Sequence, residues 1–92
     1  MIQSNGLKGE WVVISKLKEI VTRMEREQHR RITNKEIAKA CDIRENTVSR
    51  WMNPAEPLGM IDPKVLGRLK VFTGAALDDL LVIEPLVKSE DN

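Results

Sequence analysis

Residues 33–53 read TNKEIAKACDIRENTVSRWMN, and the fold turns on how this stretch is divided. Thr33 suits a helix N-cap, because its hydroxyl can accept from an orphan amide of the first turn. Glu36 follows three residues on and completes a T-x-x-E capping box, with Ile32 and Ile37 in the places of a hydrophobic staple. Ile37, Ala38 and Cys41 then share one face at helical spacing. Asp42 breaks the pattern, and Asp enters the left-handed region at modest cost. A second helical pattern begins at once, with Val48 and Trp51 on one side and Glu45, Asn46, Ser49 and Arg50 on the other.

Two short helices, a tight break and a small residue where they meet, here Ala38, make a helix-turn-helix. Hydrogen-bonding groups on the outer side of the second helix suit it to base edges, which are read by donors and acceptors. With Ile37, Ala38, Cys41, Ile43, Val48 and Trp51 in their places, and ENTVSRW as the opening of a recognition helix, the stretch resembles the phage-repressor or Cro-like (XRE) family. Two positions depart from that pattern. Asp42 stands where the family usually has Gly, and Arg44 stands where Ser or a similar cap is common.

Working outward, 12–27 repeats Val13, Leu17, Ile20, Val21 and Met24 at three- and four-residue spacing, which predicts a first helix. Asn53-Pro54 ends the second motif helix, because a residue before proline is pushed out of the α region. After the loop NPAEPLGMI, Asp62-Pro63 starts a further helix with Val65, Leu66, Leu69 and Phe72 on its apolar face and Gly74 at its end. A short helix near 77–82 closes the pattern. LGRLKVFTGAALDDLL also resembles the family's usual ending, so the resemblance covers about residues 12–82 and implies a compact five-helix, lambda-repressor-like, all-α domain. The expected helices are 12–27, 33–41, 45–52, 62–73 and 77–82 with no sheet, and three aromatics in the chain argue against an all-β fold. The expected core is Leu17, Ile20, Ile37, Ala38, Val48, Trp51, Leu66, Leu69, Leu77 and Leu80. Residues 1–11 are read as a flexible leader, 12–87 as the domain and 88–92 as a disordered tail. Leu81, Val82, Ile83, Leu86 and Val87 form an apolar cluster that completes the core or meets a second subunit.

Ninety-two residues leave little room for a second core. No apolar run approaches the roughly 20 residues of a membrane helix, no signal peptide is visible, and a single cysteine, Cys41, reads as a reduced core residue. A cytoplasmic protein is the expectation. His29 is the only histidine and has no ligand neighbours in sequence, so no metal site is expected. The net charge is +1, yet residues 1–53 carry 11 Lys/Arg against 7 Asp/Glu, and 54–92 carry 4 against 7. The positive half holds the motif, as expected of a protein that turns one side to phosphate.

The resemblance implies sequence-specific binding of double-stranded DNA by a small transcriptional regulator or repressor, and a homodimer on a two-half-site operator. By family position, Arg44, Glu45, Asn46, Ser49 and Arg50 are the candidate base contacts. Arg44 suits guanine or a phosphate, Glu45 the cytosine amino group and Asn46 adenine, and Arg50 fits either role. Arg30, Arg31, Asn34, Lys35, Thr47 and Asn53 are the candidate phosphate contacts, with Lys39 a weaker one. Two other readings share the fold: an antitoxin with an added toxin-binding surface, and a protein-interaction module without DNA contacts. An enzyme is not expected, because no nucleophile stands beside a base and no phosphate loop or ligand cluster is present; no cofactor is expected.

Overall fold

The structure, a computed structural model, describes residues 10–85. The order is β1 (Trp11–Ser15), α1 (Leu17–Gln28), α2 (Asn34–Cys41), α3 (Glu45–Trp51), α4 (Pro63–Thr73), α5 (Leu77–Leu80) and β2 (Leu81–Pro85). The two strands pair antiparallel, from Trp11 opposite Pro85 to Ser15 opposite Leu81. The all-α expectation is therefore corrected: five helices are joined by a two-stranded sheet.

The reason lies in WVVIS. Its β-branched and aromatic residues suit a pleated surface, but Val13 also falls four residues before Leu17 and so imitates a helical repeat. Its partner LVIEP lies almost the whole domain away, so no turn signal announces the pairing. Leu58 adds to the far edge of β1, its N–H donating to the Val13 carbonyl at 2.9 Å. Helix α1 accordingly begins at Leu17 rather than residue 12, and the last helix stops at Leu80. Of the expected leader only Glu10 and Trp11 are described, and Trp11 opens β1. Residues 1–9 and the expected tail, 88–92, lie outside the described residues, as do Leu86 and Val87.

The caps follow local chemistry. Thr33 Oγ1 accepts from the Glu36 N–H at 3.1 Å, and Asp62 Oδ1 accepts from the Lys64 N–H at 2.8 Å with Pro63 in the first turn. Gly74 ends α4 at φ 71°, a conformation that a residue without Cβ adopts freely. His29 and Asp42 also take left-handed conformations, at φ 54° and 56°, and end α1 and α2.

The core gathers Leu17, Ile20, Val21, Ile32, Ile37, Ala38, Cys41, Val48, Trp51, Leu58, Leu69 and Leu80. Expected Leu66 is only half-buried, and Leu77 is exposed on the short α5. Ile32 and Leu58 were not expected, since each stands in a loop outside any helical period. One polar residue, Ser15, is fully buried. Its hydroxyl donates to the Trp51 carbonyl at 2.6 Å and accepts from the Leu17 N–H at 3.2 Å. Ser15→Ala is expected to lower stability by about 1–3 kcal/mol, because both buried backbone groups lose their partner. Chemical denaturation measures this, and a loss under about 0.5 kcal/mol would mean that both groups find other partners.

Candidate nucleic-acid interface

Helices α2 and α3 pack on each other, and α2 also packs on α4. The break between them is built from backbone bonds. The Asp42 N–H, at the left-handed residue, donates to the Ala38 and Lys39 carbonyls, and the Ile43 N–H donates to the Ala38 carbonyl at 3.0 Å. Asp42 thus takes the conformation that glycine would supply at this place. Arg68 of α4 donates from Nη1 to the Asp42 carbonyl at 3.0 Å and fixes the turn from outside. Sequence reading missed Arg68, because its partner is a backbone carbonyl 26 residues away.

Val48, fully buried, and Trp51, at 3% exposure, anchor the inner side of α3. The opposite side carries Glu45, Asn46, Ser49 and Arg50, all exposed, with exposed Arg44 in the N-cap place. Arg44 makes no side-chain cap bond, so the start of α3 has free amides. Asn46 and Arg50 lie four residues apart and Asn46 and Ser49 three, which puts them on one surface patch. Among the described residues, Arg44, Glu45, Asn46 and Arg50 have no side-chain hydrogen bond or ion pair.

The other candidates divide. Arg31 and Lys35 are exposed beside the start of α2 and their side chains have no partner among the described residues, while the Arg31 carbonyl accepts from Arg30 Nη1 at 3.3 Å. Asn34 Nδ2 donates to Ser49 Oγ at 3.2 Å, which joins a candidate phosphate contact to a candidate base contact across the two helices. Thr47 is half-buried and faces Trp51, Ile61 and Val65 around a cavity of about 450 Å³. Asn53 is a turn residue: its Oδ1 accepts from the Ala55 N–H at 3.0 Å, and Nδ2 donates to Glu56 at 3.5 Å.

Arg30 is the most committed. Its Nη1 and Nη2 donate to the two carboxylate oxygens of Glu36 at 3.2 and 2.6 Å, and its Nε donates to Gln28 at 3.2 Å. The Glu36 carboxyl is held below its ordinary range, first by this hydrogen bond and further by the Arg30 charge and the Thr33 N–H, with desolvation opposing. Arg30 is shifted upward by the same contact. Glu25, in turn, accepts the Ile32 N–H at 2.8 Å and pins the loop that presents Arg31. Burial pushes the Cys41 thiol upward, with Arg68 opposing, so it stays protonated at neutral pH. No group of three or more His, Cys, Asp or Glu among the described residues could hold a metal ion, and none of their helices is long and apolar enough to cross a membrane.

No family model, curated protein or solved structure matches this chain.

The Arg30–Glu36 pair carries a pH signature. A lowered folded-state value means that the pair's contribution is present above the unfolded value and is lost as pH falls through the folded one. In an NMR titration, Glu36 is expected to titrate below the ordinary Glu value of about 4.3, and Arg30→Ala to return it toward that value. A Glu36 that is indifferent to Arg30→Ala would show that the pair is not populated in solution.

Proposed function

We propose that the protein binds double-stranded DNA sequence-specifically as a small helix-turn-helix transcriptional regulator, with α3 entering the major groove. The observation that carries this reading is the division of α3. Its inner side is locked by Val48 and Trp51, while Arg44, Glu45, Asn46 and Arg50 stand exposed and uncommitted on the outer side. Such side chains are the kinds that read guanine, cytosine and adenine edges. Arg31 and Lys35 at the start of α2 are the backbone-positioning cations, and Arg30 serves them indirectly by holding Glu36. Asn34, Thr47 and Asn53 act mainly as internal supports of the motif. This function is binding, not catalysis, needs no cofactor and places the protein in the cytoplasm with the DNA.

Duplex affinity measured against salt tests the reading, because each phosphate neutralised adds about −0.9 to the slope of log K on log salt. Arg31→Ala should make that slope shallower by about one unit and weaken all sequences alike. Site selection from random duplexes yields the operator, and a repeated half-site in it would identify a homodimer. On that operator Asn46→Ala should cost about 1–3 kcal/mol of discrimination at one base position, with non-specific binding nearly unchanged. A flat salt response of the unmodified protein would remove the proposal.

A further inference from the structure

The outward side of α1 is opposite the residues that enter the core, and its cleft border carries more cations than carboxylates. A cleft of about 450 Å³ there is bordered by Lys18, Thr22, Arg23 and Arg26, and by Lys16 and Glu19 toward Pro54. Glu19, the one carboxylate on this border, is engaged by Lys16 at 3.8 Å. Lys18, Arg23 and Arg26 are exposed and have no ion pair or side-chain hydrogen bond among the described residues. Glu25 and Glu27 balance α1 as a whole, but the cleft border itself is net positive, and a multiply charged anion offsets the repulsion among its cations.

In sequence, the residues bordering the cleft flank the motif on both sides. Pro54 follows the exit of α3, and Arg26 lies in the last turn of α1, just before the loop that presents Arg31. The loop that Pro54 opens is acidic further on. From 51 to 63 there is no Lys or Arg, while Glu56 and Asp62 are both exposed. A phosphate strand in the cleft is therefore attracted by the α1 border, while the carboxylates of the 53–62 loop that supplies Pro54 repel it.

We infer that the α1 cleft carries backbone phosphates of the bound duplex, so that the footprint runs from Arg31 over Arg26 and Arg23 to Lys18. This inference rests on the DNA-binding reading and adds a second contact surface to it. The phosphates follow the α1 border of the cleft, so that phosphates flanking the segment read by α3 are neutralised by a helix outside the motif. Thr22 supplies a neutral hydroxyl donor between the cations.

The test compares the full-length protein with its Lys18→Ala/Arg23→Ala/Arg26→Ala variant on a mixed-sequence duplex of about three helical turns. Each lost contact should remove about 3.5-fold of the weakening between about 50 and 200 mM salt, and all three about 40-fold. Arg23→Lys/Arg26→Lys, which keeps the charge, should retain the unmodified response. On a duplex of about one turn, which offers no flanks, the triple variant and the unmodified protein should respond alike. A steep unmodified response that the triple variant fully retains, while Arg31→Ala reduces it, would overturn the inference and leave the DNA reading standing. A flat unmodified response would overturn both. Sodium tripolyphosphate serves as the free-anion arm: if it saturates the cleft while the long-duplex slope is the same in both proteins, the site is for a small phosphate ligand and the inference fails. The three side chains are exposed on a helix that Ala favours, and far-ultraviolet circular dichroism of the triple variant checks that it is folded.

Discussion

One hydroxyl joins the sheet to α3, the second helix of the motif. A helix leaves its first amides and last carbonyls without partners, and inside a core water cannot serve them. Ser15 answers one of each at once, accepting from Leu17 at the start of α1 and donating to Trp51 at the end of α3. Only a group that both gives and takes can do this in so small a space. Alanine would leave both groups unmet, and valine would add apolar volume in a fully buried place. The position of α3 therefore depends on β1. That strand in turn is held by β2 on one edge and by Leu58 on the other.

The same logic explains the turn between α2 and α3. A non-glycine residue in the left-handed region is held there only when its surroundings over-determine it. At Asp42 they do: its N–H meets two carbonyls, its own carbonyl accepts from Arg68, and Cys41 Sγ lies 3.7 Å from the Arg68 carbonyl. Helix α4 thus contributes more than its apolar face. It clamps the motif at the place where the two helices separate, and Leu69 underneath, fully buried, carries the packing.

What could be read from the sequence was local. The Thr33 and Asp62 caps, the break at Asp42 and the two faces of α3 each depend on residues within a few positions of one another, and each was legible. What could not be read depends on partners distant in sequence. WVVIS carries a β-branched signal, yet its register with Leu17 imitated a helix, and only the pairing with residues 81–85 decides between them. Glu36 reads as the acid of a capping box, and nothing near it in the chain signals that Arg30 takes both its oxygens. That exchange removes Arg30 from the free cations of the interface. Asn34 and Ser49 were read as separate contacts, because a bond spanning 15 residues and two helices leaves no periodic trace.

The magnitudes decide how such a surface can work. Ordering a long side chain on binding costs about 0.5–1.5 kcal/mol, and a good bidentate base contact returns about 1–3 kcal/mol of discrimination. Among the described residues nothing holds Arg44, Asn46 and Arg50, so on the proposed DNA-binding reading each has to be ordered to read a base. The surplus from three such contacts is therefore thin, enough to choose between sequences and too small to hold a duplex. Holding it falls to phosphate neutralisation, which needs no side-chain precision and works at the reach of a long cation. A chain with a net charge of +1 can supply this only if its charges are segregated, and they are: 11 Lys/Arg stand in residues 1–53, while acids crowd the remainder. On the proposed reading, without that segregation α3 would choose among sequences that it could not retain.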